Sequence, residues 1–374
     1  MLKVRISRVL PGMILGKSIY TSMGNVLLSA GMILNDQYIK RLKEIGIPAV
    51  YIKDSRFNEV NTPEVVLEST RIQTQSEVRG IFEQIELNGK INLGSTKQMV
   101  NKILEEILLN QDVLVSLSDI RTYDDEVFGH SVSVCILSVI TGLKLGYNQL
   151  QLMDLGIGGL LHDLGKACIA KIILNKKQQL TPQEFDGIKE HSRLGFDILR
   201  QQEEISPLAA HIAFQHHEKY NGSGYPRGLK GGEIHEYARI IAVADVYDAM
   251  TSDRIYRPAF TPMETVQVLL ESMGSHLDPD LVKVFIKNIA LYPVGSIVTL
   301  NTGEVGVVVI THPDFTDRPV VRIILDKHQK QFTGLCEIDL ATSTEYTIVN
   351  VLNDYNETLP PISHIGSRII STKR

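Results

Sequence analysis

The chain has 374 residues, of which 43% are hydrophobic and 22% are charged, and its 38 basic and 43 acidic side chains give a net charge of −5. At roughly 150 residues per domain, this length predicts two or three domains. The composition excludes a disordered, collagen-like or coiled-coil chain. The negative charge excludes an overall basic field that would attract polymeric nucleic acid, so a phosphate-bearing ligand needs a local site.

The three cysteines, Cys135, Cys168 and Cys336, are far apart and lie outside any CxxC pattern. They predict neither a disulfide framework nor a thiolate zinc site, and they fit a reducing cytosol. The N-terminus lacks the apolar run of a signal peptide. No apolar stretch reaches the ~18 residues that a membrane-spanning helix needs. The sequence therefore predicts a cytoplasmic protein without membrane insertion.

Residues 1–53 predict a small α+β domain. Short strand-like runs alternate with glycine-containing turns over residues 4–28, and residues 49–52 are typical of a closing strand. Asn35 is a favourable N-cap for a helix over residues 36–45, because its side chain can accept a hydrogen bond from the first helical turn.

In the middle of the chain, apolar residues recur with the period of an α-helix. Residues 54–95 predict a helical connector, with a long helix that starts at Thr62-Pro63-Glu64. Residues 96–292 predict an all-helical bundle, since they show no alternating strand pattern. Thr181 and Thr261 each precede a proline and a glutamate at the third following position, which predicts two capped helix starts.

After Pro293 the helical period of the apolar residues ends. Short runs rich in β-branched residues follow, separated by turns, at residues 296–300, 305–310, 320–325 and 346–351. Residues 293–374 therefore predict a small β-barrel-like domain with a polar tail. The predicted fold class is mainly α, with a helical bundle between a small α+β domain and a small β-rich domain.

Histidines and carboxylates cluster in the predicted bundle. Six of the eleven histidines lie between positions 130 and 217, the doublet His162-Asp163 follows the apolar run LGIGGLL, and Asp245 lies within IIAVADVYDAM. Burying such groups without partners costs several kcal/mol, which a bound cation would remove. Histidine and carboxylate without thiolate suit iron, manganese or zinc.

Each of these features also has an ordinary structural explanation. Glu126 and His130 share a helix face at i, i+4 and could reach one metal cluster, but Glu126 could equally stabilise a helix start. The glycine-rich loop EKYNGSGYPRGLKGGEI permits close approach to a ligand or is a plain surface loop. Three basic residues could bind phosphate or lie solvated at helix ends: Lys166, Arg254 and Arg257.

Taken together, the motifs resemble those of the HD-GYP phosphodiesterases, a branch of the HD metal-dependent phosphohydrolases that hydrolyses bacterial cyclic di-GMP. The resemblance covers residues 96–292 and implies an HD-type helical fold. One departure is Asn221, where family members usually carry aspartate. The matching segments are HDLGK (162–166), His191, His216-His217, NGSGYP (221–226) and ADVYDAMTSDRIYRP (244–258).

The resemblance implies two or three divalent metal ions, most often iron with manganese as the alternative, and a bridging role for Asp163. Glu126 aligns with a glutamate of a three-metal subclass. The implied metal ligands are Glu126, His130, His162, Asp163, His191, His216, His217 and Asp245. The implied catalytic residues are His162, Asp163 and Lys166, and the implied substrate contacts are Lys166, Arg254, Arg257, Gly224, Tyr225 and Pro226.

The implied reaction is the hydrolysis of cyclic di-GMP to pGpG, with GMP as a further product, through a hydroxide that bridges the metals. In that reaction Lys166 would neutralise charge on the phosphoryl oxygens. Two alternatives stay open: hydrolysis of another cyclic or linear dinucleotide at the same site, and a catalytically weak protein that binds cyclic di-GMP and signals. The sequence is compatible with a homodimer.

Overall fold

The computed structural model contains an N-terminal α+β unit, a helical unit and a C-terminal antiparallel sheet. The mainly α fold class predicted from the sequence is confirmed. No helix among the described residues combines the length and the apolar character needed to cross a membrane. The structure describes residues 2–21, 25–47, 49–53, 64–88, 94–110, 113–115, 126–174, 176, 178–252, 259–332 and 334–352.

The helices and strands follow in chain order. The helices are α1 (Asp36–Glu44), α2 (Glu68–Asn88), α3 (Gly94–Leu109), α4 (Glu126–Lys144), α5 (Gln149–Leu161), α6 (Lys171–Leu174), α7 (Pro182–Lys189), α8 (His191–Leu199), α9 (Pro207–Gln215), α10 (Glu236–Thr251), α11 (Pro262–Glu271) and α12 (Pro279–Ile286). The strands are β1 (Leu2–Arg5), β2 (Ile14–Leu15), β3 (Ile19–Tyr20), β4 (Val26–Leu28), β5 (Ala49–Lys53), β6 (Ile297–Leu300), β7 (Val305–His312), β8 (Phe315–Leu325), β9 (Glu337–Asp339) and β10 (Ile348–Leu352).

The predicted helix caps are present. The Asn35 side chain accepts a hydrogen bond from the Tyr38 N–H at 2.8 Å, which starts α1. Thr181 and Thr261 form capping boxes with Glu184 and Glu264 at the starts of α7 and α11. These local signals depend on neighbouring residues only, which is why the sequence reveals them.

Helix α2 begins later than the sequence predicts. The predicted start at Thr62 and Pro63 lies outside the described residues, and the helix begins at Glu68. The Glu64 carboxylate accepts a hydrogen bond from the Glu68 N–H at 3.1 Å, so a side chain one turn earlier satisfies the first helical donor. Glu64 also pairs with Lys17 of the N-terminal unit.

The helical unit has one continuous apolar core. Helix α4 packs against α2, α5 and α10, and the core includes buried side chains from α2, such as Ile81 and Phe82. The sequence predicts residues 54–95 to be a helical connector without obvious core residues. In the structure, α2 instead packs as part of the helical unit.

The C-terminal sheet is antiparallel, with strand order β10-β6-β7-β8-β9. The sequence did not predict β9, because its three residues Glu337–Asp339 carry no β-branched alternating run. The two faces of the sheet belong to different apolar clusters, since Val307 alternates with Val308 along β7.

The N-terminal unit and the C-terminal sheet share a core. Buried side chains of the N-terminal unit, such as Leu15 and Ile52, form one continuous cluster with Ile297, Val305 and Val307 on one sheet face. Two parts of the chain that lie almost 300 residues apart in sequence thus bury a common apolar surface.

Candidate metal centre

The HDLGK motif lies where α5 ends and turns into a 3-10 helix over Leu164–Cys168. Gly165 lets this turn pack directly on α8, because a Cβ at Gly165 would lie 1.9 Å from the His191 carbonyl oxygen and 2.6 Å from the Gly195 nitrogen. The close contact places the buried side chains of His162 and Asp163 beside His191 at the start of α8.

Two adjoining groups of side chains could each hold a metal ion. Within each group, the candidate ligand atoms lie within 4.8 Å of one another. The first group comprises Asp163, His191, His216 and His217, and the second comprises His130, His162 and Asp245. The structure therefore brings together seven of the eight predicted ligands, carried by α4, the end of α5, α8, the end of α9 and α10.

Asp163 faces both groups. Its Oδ2 lies 3.4 Å from the His162 Nε2 of the second group, and its Oδ1 lies 3.4 Å from the His191 Nε2 of the first. A carboxylate with one oxygen toward each group has the geometry that a bridging ligand needs.

Backbone carbonyl groups orient three of the imidazole rings. The Nδ1 atoms of His162, His191 and His216 lie 2.7, 2.6 and 2.9 Å from carbonyl oxygens one turn earlier in the chain. When each Nδ1–H donates to its carbonyl, the Nε2 lone pair points into the centre, which is the arrangement of metal-binding histidines.

His130 is oriented by a carboxylate that the sequence analysis did not single out. Its Nδ1 lies 2.7 Å from Oδ2 of the buried Asp248, while its Nε2 lies 3.1 Å from Oδ1 of Asp245. Asp248 follows Asp245 by one helical turn on α10, so this i, i+3 spacing was the available signal. In metal sites, a histidine that binds the metal through one ring nitrogen commonly donates a hydrogen bond from its other ring nitrogen to a carboxylate.

Electrostatics keep Asp163 and two of the histidines in the protonation states that bind cations. Burial alone raises the pKa of Asp163, but Lys166 and His162 beside it hold that pKa well below its usual range. Burial lowers the pKa of His217 to about 3 and also holds the pKa of His216 well below its usual value. At neutral pH Asp163 is therefore a carboxylate, and the imidazoles of His216 and His217 are neutral, as metal ligands must be. Burial alone would lower the pKa of His130, but its hydrogen bonds with Asp245 and Asp248 raise that pKa to about 9. A cation at the second group would therefore displace a proton from His130.

Unsatisfied polar atoms indicate that a cation fits this centre. Within the described part of the chain, the buried His162 Nε2 and Asp163 Oδ1 have no hydrogen-bond partner. The Nε2 atoms of His191 and His216 face each other at 3.3 Å. Leaving such groups buried and unpaired costs free energy, which cations bound by their lone pairs would offset.

The loop that follows His216-His217 folds back onto the centre. The Tyr225 ring lies against the His217 ring, with centroids 4.8 Å apart and planes 33° apart. This approach requires glycine at position 224, because a Cβ there would lie 2.3 Å from the Lys219 nitrogen and 2.5 Å from the His217 carbonyl oxygen. The side chain of Asn221 accepts hydrogen bonds from Ser223 within the same loop.

Glu218 stabilises the conformation of this loop, a role that the sequence did not indicate. Its side chain is buried and accepts hydrogen bonds from the Arg227 N–H at 2.8 Å and the Leu229 N–H at 2.9 Å. A glutamate directly after a histidine pair gives no local signal of this role, because its partners are backbone groups nine and eleven residues away.

We expect Glu218→Gln to destabilise the protein by about 1.5–3 kcal/mol, because the amide accepts one of these backbone donors but turns an NH₂ group toward the other. Urea denaturation of the two proteins measures the difference. Glu233→Gln is the matched control, since Glu233 is exposed and its Oε2 accepts a hydrogen bond from the Lys230 N–H. Equal losses in both variants would contradict a special role for Glu218.

The remaining predicted site residues fall into two groups. The Lys166 ammonium group lies 2.5 Å from Asp163 Oδ2, so it neutralises the carboxylate at the edge of the centre. Arg254, Arg257 and the side chain of Glu126 lie outside the described residues. His211, which belongs to the histidine-rich region, instead packs against Phe196, with ring centroids 5.0 Å apart.

Comparisons with known proteins agree with this geometry. Residues 118–281 match the HD domain family, and residues 297–358 match the KOW domain associated with HD domains. A cyclic di-GMP phosphodiesterase of Pseudomonas aeruginosa is 33% identical over 258 residues, which cover 69% of this chain and 62% of that protein. A cyclic di-GMP phosphodiesterase of Thermotoga maritima is 40% identical over 178 residues, which cover 47% of this chain and 48% of that protein.

Among solved structures, an HD-G"Y"P protein from Bdellovibrio bacteriovorus has the same fold. The TM-score is 0.52 at 19% identity, and the match covers 76% of this chain and 98% of the other. The chain spans about half to two thirds of the length of the two curated relatives.

The helical bundle with its histidine and aspartate centre is an HD domain. Its HDLGK motif, its histidine pair and its GYP loop are similar to those of the HD-GYP branch of that superfamily. The chain thus contains an HD domain over residues 118–281, followed by a KOW domain associated with HD domains over residues 297–358.

Proposed function

We propose that this protein is a metal-dependent phosphodiesterase that hydrolyses cyclic di-GMP to pGpG and then acts on pGpG to give GMP. The observation that carries the proposal is the pair of adjoining ligand groups that share Asp163. Two cations held by these adjoining groups would suit the in-line displacement of a phosphate ester. The relatives from P. aeruginosa and T. maritima, which are named cyclic di-GMP phosphodiesterases, support this substrate.

The proposed cofactors are two or three divalent cations, with iron the first choice and manganese the alternative, because the donors are imidazoles and carboxylates without thiolate. When bound, such cations supply an activated water and positive charge for the phosphoryl oxygens. The proposed ligands are Glu126, His130, His162, Asp163, His191, His216, His217 and Asp245. We propose a cytoplasmic location, since the three cysteines are free.

The side chains around the centre have distinct proposed roles in substrate binding. The Lys166 side chain is 29% exposed and lies at the edge of the centre, where its ammonium group can turn from Asp163 to a non-bridging phosphate oxygen. Burial and the neighbouring carboxylates raise the pKa of Tyr225, so its phenol stays protonated and can donate a hydrogen bond. Arg254 and Arg257 are proposed as further phosphate contacts, because one guanidinium group can donate two parallel hydrogen bonds to phosphate oxygens.

Another cyclic dinucleotide is the second candidate substrate. A 3′3′-cGAMP-specific phosphodiesterase of Vibrio cholerae is 32% identical over 165 residues, so the same family includes enzymes named for that substrate. Both candidates use the same centre, and only the recognition of the bases differs.

One experiment tests the proposal. The protein is purified without oxygen, its metals are measured, and product formation is followed from cyclic di-GMP, pGpG and cyclic GMP-AMP in parallel. We expect the highest kcat/KM with cyclic di-GMP. Binding without turnover in a fully metal-loaded sample would favour the signalling alternative.

Glu126→Gln tests the number of metal ions. If the Glu126 carboxylate binds a third cation, the neutral amide lowers the metal content from about three to about two ions per chain, because hard cations favour charged oxygen ligands. Activity falls less than after loss of His162 and Asp163. Elemental analysis of both proteins, prepared identically without oxygen, provides the measurement. Equal metal contents would mean that Glu126 acts only at the helix start, a contribution of at most ~1 kcal/mol.

A further inference from the structure

Helix α7 carries a cation and an exposed aromatic ring beside the metal centre. The Lys189 Nζ lies 4.8 Å from the centroid of the Phe185 ring and 5.7 Å from the centroid of the Tyr225 ring. It also lies 2.8 Å from Asp186 Oδ1. Lys189 is the last residue of α7, and its Nζ lies near both the Phe185 ring of that helix and the Tyr225 ring of the GYP loop.

Tyr225 connects this feature to the metal centre. One neighbour of the Tyr225 ring is Lys189, and another is the candidate ligand His217, whose ring centroid lies 4.8 Å away. His191, which begins α8, follows Lys189 by two residues. Phe185 and Lys189 therefore lie on the rim of the centre, one aromatic ring away from a candidate ligand.

Phe185 and Lys189 contribute little to the stability of the protein. Phe185 is 48% exposed, so this large apolar residue lies largely outside the core. The ion pair between Lys189 and Asp186 is open to solvent, because the Asp186 side chain is 70% exposed. Such an exposed pair contributes little to stability and exchanges readily for another partner.

The chemistry of the two side chains matches that of a purine base. An exposed aromatic face stacks on any base, because every base has a π-face. An ammonium group only donates hydrogen bonds. Guanine presents the two acceptors O6 and N7 on one edge, whereas adenine presents an N6 amino donor beside N7. A lysine ammonium group at this edge can donate to O6 and N7 of guanine but meets the N6 amino donor of adenine. It therefore favours guanine over adenine.

We infer that Phe185 and Lys189 form a base-binding subsite, in which Phe185 stacks on one base of a cyclic dinucleotide and Lys189 selects guanine at that position. The inference rests on the proposed function and adds the residue that distinguishes guanine from adenine. The phosphodiester to be cleaved lies at the metal centre, and the base lies on the α7 side of the GYP loop.

The test uses the metal-loaded full chain and compares cyclic di-GMP with cyclic di-AMP. Lys189→Met removes the ammonium and keeps the length of the side chain. Its KM for cyclic di-GMP rises about tenfold, the scale of one specific base contact, while its KM for cyclic di-AMP changes less than about twofold. The kcat values and the metal content stay at those of the unmodified protein. Lys189→Arg keeps the donors and restores the preference for guanine.

The matched control is Lys283→Met. Lys283 forms the same kind of i, i+3 pair with Asp280, at 3.1 Å on α12, and its removal leaves both KM values unchanged. Phe185→Ala raises both KM values by a similar factor of about ten, because stacking does not distinguish the bases, and Phe185→Tyr keeps them low. Calorimetric titration with the phosphorothioate analogues of both dinucleotides measures the same ratios without turnover.

The outcomes separate this inference from the proposed function. If the unmodified protein hydrolyses no cyclic dinucleotide when fully metal-loaded, the proposed function is wrong. If it hydrolyses cyclic di-GMP but Lys189→Met leaves the ratio of the two KM values unchanged, the proposed function holds and the subsite is wrong. An equal rise for both substrates would mean that Lys189 binds phosphate and does not read the base.

Discussion

Replacing both His162 and Asp163 with alanine is expected to lower kcat for cyclic di-GMP by roughly a thousandfold or more. The double variant removes one ligand atom from the second group and the carboxylate that faces both groups. Loss of metal-assisted catalysis removes several kcal/mol of transition-state stabilisation, and each ~1.4 kcal/mol is a factor of ten. Initial rates and metal contents, measured on samples prepared without oxygen, provide the test.

The control is a second histidine–aspartate pair in the same chain. His312 and Asp339 lie 3.1 Å apart on the C-terminal sheet, and their double replacement with alanine leaves the rate and the metal content unchanged. Near-normal turnover by the metal-depleted His162 and Asp163 variant would rule out the proposed metal-dependent hydrolysis.

Deletion of residues 294–374 is expected to unfold the N-terminal unit while the helical unit keeps its metal centre. The deletion removes several side chains of the shared cluster, among them Ile297, Val305 and Val307. Each buried aliphatic side chain contributes ~1.5–3 kcal/mol, and whole domains are stable by only ~5–15 kcal/mol. The small N-terminal unit cannot tolerate that loss. The centre is built on α4, α5, α8, α9 and α10, so metal content and measurable activity persist.

Hydrogen exchange on the deletion variant measures this effect. Backbone amides of β1, α1 and β5 lose their protection, whereas those of α4 and α10 keep it. A second variant that lacks residues 1–63 as well removes the exposed apolar surface, and it should be less prone to aggregate than the single deletion. Unchanged protection of β5 in the single deletion would show that the N-terminal unit is stable alone.

Most of the centre could be predicted from the sequence, because its residues lie in short motifs with fixed spacing. The doublet His162-Asp163 and the pair His216-His217 stand next to each other in the chain, and the structure brings them together with His191 as the motif implies. The helix caps at Asn35, Thr181 and Thr261 could be predicted for the same reason, since a cap acts within one helical turn.

The features that escaped prediction depend on contacts between distant segments. Asp248 supports His130 from another helix, 118 residues away, and the partners of Glu218 are backbone groups across a loop. The core that joins Leu15 and Val307 has no local signature, because apolar residues in two short strand regions do not reveal which surface covers them.

The shared core also changes how this chain can be divided or recombined. In the sequence, the helical unit lies between the N-terminal residues and the KOW sheet, and these two terminal segments form a single apolar core. Grafting the metal centre onto another protein therefore requires an acceptor with two neighbouring attachment points, as in a domain insertion. A simple head-to-tail fusion that carries only one of the two terminal segments would leave half of an apolar core exposed.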